Sequence, residues 1–368
     1  METGFLPRAR FQALLDALHQ AGYRCVGPQA RDGAIVYDTL GRTEDLPRGI
    51  RDRQDPGQYW LEDTASPRYF SWANGPQALK PFLFTSHEPL WRSERSTGAE
   101  IRFIEINPPA DLIAVVGVRA CDLAALRLQD RHFLEGTIVD PYYAARRKNI
   151  FLVAVHCTHP ANTCFCVSTG DGPRATQGFD LALSELDGGY LVQAGSDTGS
   201  MVAARLPLVP ATDAHRRSAD HEIHEAAQRQ TRRLPSRNLR DALFANLEHP
   251  RWENVAERCL SCGNCTSVCP TCFCHSESDE TVLNEHHSLH ARQWDSCFTQ
   301  GHSYIHGMTI RADTRTRYRQ WLTHKLGSWH DQYGRSGCVG CGRCIAWCPV
   351  SIDITEEAGE ICGGGAHD

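Results

Sequence analysis

Cysteine is the residue type with which this 368-residue chain could do the most chemistry. Eight of its 17 cysteines fall in two runs with the spacing C-x2-C-x2-C-x3-C, and a proline follows each run. The runs are Cys259, Cys262, Cys265 and Cys269, and then Cys338, Cys341, Cys344 and Cys348. Two-residue spacings let three thiolates on one loop converge on an iron–sulfur cube, while the fourth cysteine points toward a neighbouring cube. The pattern therefore predicts two [4Fe–4S] clusters and fits poorly with structural zinc, which takes four ligands from paired hairpins.

Exchange of the fourth cysteine between the runs defines two predicted ligand sets. Site 1 comprises Cys259, Cys262, Cys265 and Cys348. Site 2 comprises Cys338, Cys341, Cys344 and Cys269. Gly263 and Gly342 let the backbone approach each cluster, so that amide N–H groups can bond its sulfides and help to set its reduction potential.

A third group of four cysteines, site 3, lies in the first half of the chain. It comprises Cys121, Cys157, Cys164 and Cys166. Residues 111–118 and 150–156 are predicted strands, and the predicted helix 122–133 between them, which Asp122 could cap, favours a parallel pair. Because open α/β sheets bind ligands at the carboxyl ends of such strands, site 3 is a candidate for a third [4Fe–4S] cluster. The alternative is four buried structural cysteines, and spacing alone leaves the two interpretations evenly balanced.

A few further groups have weaker interpretations. The cysteines outside the three sites include Cys272, Cys274 and Cys297. They could line the clusters, replace an assigned ligand or pack in the interior, and packing is the default. His286, His287 and His290 have a spacing that suits a metal on a helix, but they lack the H-E-x-x-H arrangement and lie in a polar stretch. We expect these histidines to lie on an exposed helix face.

The pattern along the chain predicts an α+β fold. Residues 1–215 are predicted to form a mixed α/β domain that carries site 3, and the arginine-rich stretch 216–240 is the predicted linker. Residues 241–368 are predicted to form an α-helical ferredoxin domain, because apolar residues recur with helical periodicity before each cysteine run. No strand-like alternation intervenes there, so we expect this last third of the chain to be helical apart from its cysteine loops.

Composition and charge exclude several classes of protein. The net charge of −6 argues against a dedicated nucleic-acid binder, which is normally basic. The longest apolar runs are strand-sized, far short of the roughly 20 residues that span a bilayer, and the N-terminus lacks the pattern of a secretory signal. We therefore expect a cytoplasmic protein without a membrane span. Only Lys80, Lys148 and Lys325 are lysines among 38 basic residues, which codon bias explains.

A family resemblance is carried by RCLSCGNCTSVCPTCFC (258–274), WDSCF (294–298) and GCVGCGRCIAWCPVSIDI (337–354). These stretches resemble the iron–sulfur beta subunit of cytosolic sulfhydrogenases, which are NAD(P)-linked [NiFe] hydrogenases. The same pattern is similar to the iron–sulfur dicluster subunit of anaerobic sulfite reductase. In the first half of the chain, GVRACDLAAL (117–126) and DPYYAARRKN (140–149) agree with this resemblance. The combination is much more specific than the two cysteine runs alone.

The resemblance implies an electron-transfer subunit with no catalytic residue of its own. It implies an FAD/NAD(P)-binding reductase subunit on one side and the small and large subunits of a [NiFe] hydrogenase on the other, or sulfite reductase subunits in the alternative complex. It also strengthens the assignment of a third cluster to site 3. The segment 301–317 departs from the family pattern, which leaves its partner open. A self-contained iron–sulfur reductase with a substrate site in the first domain is the remaining alternative.

Overall fold

The computed structural model describes residues 2–95, 100–108, 111–235, 238–281 and 287–363. The strands are β1 (Glu2–Pro7), β2 (Arg24–Arg31), β3 (Ala34–Thr39), β4 (Ile50–Asp55), β5 (Gln58–Asp63), β6 (His87–Arg95), β7 (Ile101–Glu105), β8 (Ile113–Val118), β9 (Ile150–Val155), β10 (Leu181–Leu186), β11 (Gly189–Ala194), β12 (His275–Thr281), β13 (His287–Trp294), β14 (Tyr304–Ile305) and β15 (Met308–Thr309). The α-helices are α1 (Gln12–Gln20), α2 (Ala120–Phe133), α3 (Pro141–Lys148), α4 (Cys166–Thr169), α5 (Asp197–Ala203), α6 (Asp213–Gln228), α7 (Leu239–Ala245), α8 (Arg251–Arg258), α9 (Asn264–Ser267), α10 (Thr314–Thr323), α11 (Trp329–Tyr333), α12 (Arg343–Ala346) and α13 (Ile354–Gly363). A π-helical turn, His324–Ser328, joins α10 to α11.

A mixed sheet forms the core of the first half of the chain. Within the described residues it has seven strands in the order β1-β11-β10-β9-β8-β2-β3. Strands β2, β8, β9 and β10 run parallel, whereas β1, β11 and β3 pair antiparallel toward the edges. Strand β9 is apolar and buried along its whole length, as expected for a parallel strand covered on both faces. The predicted parallel pairing of 111–118 with 150–156 is confirmed as β8 and β9.

Helices cover both faces of this sheet. The apolar stripe of α1 packs with α5 over one face, and α2 packs over the other. The prediction that Asp122 caps α2 is wrong, because the N-cap residue is Arg119. The carboxylate of Asp122 is instead buried inside the protein, where Asp122 Oδ1 lies 2.7 Å from a guanidinium nitrogen of Arg343. This contact links the first half of the chain to the second cysteine run.

The last third of the chain contains strands, so the prediction of an all-helical C-terminal domain is wrong. Strands β12 and β13 form a hairpin between the two cysteine runs, and β13 also pairs with β6. The described strands of this second sheet follow the order β12-β13-β6-β7. Strand β12 (HSESDET) is exposed at most positions, so it lacks the apolar–polar alternation that marks a strand in a sequence. Its backbone hydrogen bonds to β13 hold it in place instead.

Two of the three histidines singled out above lie on this hairpin and not on a helix. His287 and His290 belong to β13, and the ring of His290 stacks on that of Trp91 in β6 with the ring centroids 4.6 Å apart. His290 Nδ1 lies 2.8 Å from Asp279 Oδ1 in β12. His286 lies outside the described residues. The expectation of an exposed helix face is therefore wrong for His287 and His290.

The helices that flank the cysteine runs have the apolar faces that the periodicity predicts. Helices α7, α8, α10 and α13 share one hydrophobic cluster, in which Leu243, Trp252 and Leu322 are fully buried. The C-terminal region is therefore largely helical apart from the hairpin. The stretch 216–240 includes most of α6, which packs on β10 and β11. The boundaries of the domains stay a prediction.

Burial of His156 makes the stability of the fold depend on pH. This residue is 4% exposed, its Nδ1 accepts a hydrogen bond from the backbone N–H of Ala175, and burial lowers its pKa to about 4. The unfolded chain therefore binds more protons than the folded chain below the usual histidine pKa, and stability is lost as the pH falls. Between about pH 7 and pH 5 we expect His156 to cost the fold about 2 kcal/mol.

Urea unfolding followed by tryptophan fluorescence at several pH values measures this loss. The His156→Gln variant keeps an acceptor for the N–H of Ala175 but does not titrate, so its unfolding midpoint should fall less between the same pH values. Equal slopes for the natural chain and the variant would rule out His156 as the source.

Candidate iron–sulfur centres

The four cysteines of site 1 line one cavity. Cys259 follows α8, Cys262 and Cys265 flank the start of α9, and Cys348 follows α12. Between them Gly263 has a φ of 76°, a left-handed conformation that glycine adopts without strain, and this turns the loop around the cavity. Apolar side chains complete the wall and restrict water, which helps to tune a reduction potential. They include Leu260, Phe298, Trp321, Val350 and Ile352.

Polar hydrogens at the wall of site 1 indicate an acceptor inside it. Among the described residues, neither the hydroxyl of Tyr318 nor the indole Nε1 of Trp321 has a hydrogen-bond partner, although both atoms are buried. Because buried donors are nearly always paired, these two groups suit the sulfur atoms of a bound cluster. The backbone N–H of Ser261 also lies 3.4 Å from Cys259 Sγ, and another N–H lies 3.3 Å from Cys348 Sγ. The wall therefore fits a [4Fe–4S] cluster.

The four cysteines of site 2 also lie close together. Burial raises the pKa of Cys344 well above its usual value, and the neighbouring thiols of the other three members of the site raise it further. The backbone N–H of Gly340 lies 3.4 Å from Cys338 Sγ. Cys344 also lines the cavity of site 1, so the two sites are adjacent.

A buried lysine faces site 2. Lys325, in the π-helical turn, is 4% exposed. Its ammonium lies 3.5 Å from Cys269 Sγ, 3.2 Å from Cys272 Sγ and 2.8 Å from Thr271 Oγ1. Burial alone would lower the pKa of Lys325, but negative charge on Cys269 and Cys272 outweighs burial and raises this pKa above its usual value. Lys325 therefore stays charged and stabilises negative charge at site 2.

The four cysteines of site 3 line another single cavity. Cys121 lies in the first turn of α2 and Cys157 follows β9, so both are at the carboxyl ends of the parallel strands β8 and β9. Cys164 and Cys166 come from the loop that leads into α4. The structure thus brings together the four residues that the strand order predicts. Cys341 of site 2 also lines this cavity, so sites 2 and 3 are adjacent.

Two buried arginines give site 3 a positive wall. Arg119 and Arg343 line the cavity, and each is 2% exposed. In the part of the chain that the structure describes, the Nε atom of each has no hydrogen-bond partner. Buried cations require compensating charge, and Asp122 supplies it to Arg343. Four thiolates around a [4Fe–4S] core carry net negative charge, so the donor set and the charges of this cavity fit such a cluster.

Burial raises the pKa of thiols at sites 2 and 3. It raises the pKa of Cys166 and Cys338 to about 12 and that of Cys341 to about 11. Metal ligands must be thiolates, so cluster binding at these sites displaces protons. Such thiols suit permanently bound metal better than free reactive cysteine, which requires a lowered pKa.

The loop of the second cysteine run touches the loop that precedes α4. A Cβ on Gly340 would lie 2.6 Å from the backbone of Cys166, and a Cβ on Gly342 would lie 2.3 Å from the carbonyl oxygen of Thr163. The backbone N–H of Phe165 donates to the carbonyl of Gly340 over 2.8 Å. Only glycine fits at both positions, and the fit holds sites 2 and 3 side by side.

The charged residues at these sites are not apparent from cysteine spacing. Arg119 and Arg343 lie within or beside the cysteine motifs, where a basic residue could have been noted as a charge partner. The scarcity of lysine is a second signal, because two of the three lysines, Lys80 and Lys325, are buried beside cysteines while Lys148 is exposed. Codon bias explains the ratio of lysine to arginine but not these positions.

The three surplus cysteines lie next to sites 1 and 2. Cys272 contacts Cys269, and Cys274 contacts Cys297. Cys272 and Cys274 also line a cavity open to solvent, together with Cys262 of site 1. They therefore face a cavity beside the cysteine sites.

Two stretches of the chain match families of known sequences. Both families are described as a 4Fe-4S dicluster domain, and they match residues 258–352 and 221–273. The first stretch spans both cysteine runs. The fold and the cysteine sites thus define an iron–sulfur protein of the dicluster class, whose chemistry is electron transfer.

The chain is also 34% identical over 251 residues to the protein named Sulfhydrogenase 2 subunit beta from Pyrococcus furiosus, with 67% of this chain and 73% of that protein covered. The chain belongs to the family of iron–sulfur beta subunits of sulfhydrogenases, and it is an iron–sulfur electron-transfer subunit of an oxidoreductase. No solved structure matches the chain. Over the described ranges, no helix has both the length and the apolar character needed to cross a membrane.

Proposed function

We propose that the chain passes single electrons along sites 1, 2 and 3, each holding a [4Fe–4S] cluster, in the cytoplasm. The relay would connect an FAD/NAD(P)-binding partner with the small and large subunits of a [NiFe] hydrogenase. Bound clusters would supply one-electron chemistry. The continuity of the three sites is the observation that carries the proposal. Cys344 of site 2 is in the wall of site 1, and Cys341 of site 2 is in the wall of site 3, which supports an order with site 2 in the middle.

Both ends of this series lie near the protein surface. Cys262 of site 1 is exposed, and Leu260 beside it is 63% exposed. Beyond site 3, His159 lines a polar cleft with Arg51 and Arg229. We propose that one partner docks over the apolar surface at site 1 and the other over the charged cleft at site 3.

The chain's own residues would tune and protect the series. The ammonium of Lys325 at site 2 and the guanidinium groups of Arg119 and Arg343 at site 3 stabilise added negative charge. Tyr318 and Trp321 offer hydrogen bonds at site 1 and exclude water from it. These roles support electron relay, and none of them requires a substrate to bind.

Iron content and relay activity of a site 3 variant test the proposal. Three cubes predict about 12 iron atoms and about 12 acid-labile sulfides per chain, and the Cys164→Ala chain should hold about 8 of each. In a complex reconstituted with the flavin and hydrogenase subunits, this variant should lose hydrogen-dependent reduction of NAD(P) because the series is interrupted. The hydrogenase subunits should still reduce viologen dyes with hydrogen.

Cys25→Ala is the matched control, since Cys25 is a fully buried cysteine of β2 that belongs to none of the three sites. It should keep the iron, the sulfide and the NAD(P) reduction. Unchanged iron in Cys164→Ala would contradict a cluster at site 3, and undiminished NAD(P) reduction would contradict the proposed order. Turnover of NAD(P)H by the isolated chain would favour a self-contained reductase instead.

A further inference from the structure

The β12–β13 hairpin brings two cysteines to one place outside the three sites. Cys274 directly precedes β12 and Asp295 directly follows β13, and the backbone N–H of Asp295 donates to the carbonyl of Cys274 over 2.9 Å. The turn after β13 carries Cys297, and the short helical segment Gln300–Ser303 carries His302. The base of the hairpin thus gathers two thiols, an imidazole and a carboxylate.

These four side chains are in contact. The thiol of Cys274 shares hydrogen bonds with Cys297 and with His302. His302 Nδ1 lies 3.3 Å from Asp295 Oδ2, and this carboxylate orients the ring. The bond from Cys297, together with that from His302, lowers the pKa of Cys274 to about 4, whereas the bond to Cys274 raises the pKa of Cys297 above its usual value. One cysteine is thus an activated nucleophile, and its neighbour is a protonated thiol.

Cys274 is accessible from solvent, and its cavity reaches site 1. It lines an open cavity of about 660 Å³ whose wall also includes Cys262 and Gly263 of site 1. The side chain of His302 is 29% exposed. Lys80 and Trp294 form another part of the wall. A small molecule can therefore reach the thiol of Cys274 from outside while an iron–sulfur ligand lies across the same cavity.

We propose that Cys274 and Cys297 form a redox-active dithiol that reduces small organic disulfides with electrons delivered through site 1. The delivery of electrons rests on the proposed function of the chain. The pair differs from sites 2 and 3, where burial raises the pKa of Cys338 and Cys166. It is an activity in addition to relay between partner subunits.

The chemistry balances in three steps. The thiolate of Cys274 attacks one sulfur of the substrate R–S–S–R′, forms a mixed disulfide and releases R′–S⁻, which takes a proton from His302. The thiol of Cys297 then attacks the sulfur of Cys274, its proton passes to the leaving sulfur as R–SH, and a Cys274–Cys297 disulfide remains. Two electrons, delivered one at a time, return this disulfide to thiolate and thiol as one proton is taken up by the thiol and one by His302. The sum is R–S–S–R′ + 2e⁻ + 2H⁺ → R–SH + R′–SH.

Cystine is the probe for this activity. The full chain with its clusters, supplied with reduced methyl viologen, should convert cystine to cysteine over many turnovers. Cys274→Ser should lose this turnover. Cys297→Ser should stop after forming a mixed disulfide between Cys274 and one cysteine, which intact-mass measurement detects. His302→Asn should slow turnover about 100-fold because the proton donor is lost.

Cys25→Ala should turn over at the natural rate. The natural chain also provides a test that needs no variant. Exposed to cystine without an electron donor, it should lose two alkylatable thiols, and a peptide linking Cys274 to Cys297 should appear. Absence of this linked peptide would overturn the proposal, and so would turnover by Cys274→Ser at the natural rate.

Iron and sulfide content separates the dithiol from a ligand role. Both should be unchanged in Cys274→Ser and Cys297→Ser, and a loss of either would identify these residues as cluster ligands and overturn the proposal. Paramagnetic signals after dithionite reduction report on the relay itself. If those signals form normally while cystine is not reduced, the dithiol fails and the relay stands; if they do not form, the proposed function fails as well.

Discussion

Replacing Arg343 by methionine should destabilise the fold by about 3–5 kcal/mol. The guanidinium of Arg343 is 2% exposed and lies 2.7 Å from Asp122 Oδ1, and Asp122 is 1% exposed. Methionine fills a similar volume but leaves this carboxylate buried beside the amide of Asn74 without its paired cation. Urea unfolding under anaerobic conditions, followed by tryptophan fluorescence, measures the loss.

Two variants accompany this measurement. Arg53→Met removes an arginine from an exposed ion pair with Glu62 and should cost less than about 1 kcal/mol. Adding Asp122→Asn to Arg343→Met should recover part of the loss, because a neutral amide costs less to bury than a carboxylate. Equal unfolding midpoints for Arg343→Met and Arg53→Met would contradict the buried pair.

Replacing Lys325 by methionine should lower the midpoint potential of the cluster at site 2. Reduction adds negative charge, and the buried ammonium 3.5 Å from Cys269 Sγ favours that charge. At an effective dielectric constant of about 20, a unit charge about 6 Å away contributes about 3 kcal/mol, or roughly 0.1 V for one electron. A redox titration followed by the paramagnetic signal of the reduced clusters measures the shift.

Lys148→Met is the matched control, because Lys148 is an exposed lysine at the end of α3. It should leave all midpoints unchanged. A shift confined to one of the clusters in Lys325→Met would also identify which signal belongs to site 2. Identical titrations for the two variants would mean that Lys325 does not act on a cluster.

The cysteine sites are the part of this protein that could best be predicted from its sequence. The repeated two- and three-residue spacings constrain where sulfur atoms can converge, and for site 3 the order strand, helix, strand sets Cys121 and Cys157 at one edge of a sheet. These constraints are local or follow from a single pairing. The cavities at sites 1 and 3 therefore collect the expected residues.

The hairpin and the charged residues depend on contacts that are distant in the sequence. Strand β12 is polar on both faces, so only its pairing with β13 identifies it. Lys325 and Arg119 look like ordinary surface residues until the packing of other elements buries them. The histidine interpretation fails for the same reason, because the partner of His290 is Trp91, far away in the chain.

The four-stranded sheet makes the two halves of the chain inseparable. Strands β6 and β7 come from the first half, whereas β12 and β13 come from between the cysteine runs. A gene split near residue 240, or a transplant of the C-terminal region into another protein, would therefore separate β6 from β13. Each fragment would expose an unpaired strand edge, which promotes aggregation. This protein can thus be engineered by substitution, but not by exchanging its iron-binding part as a cassette.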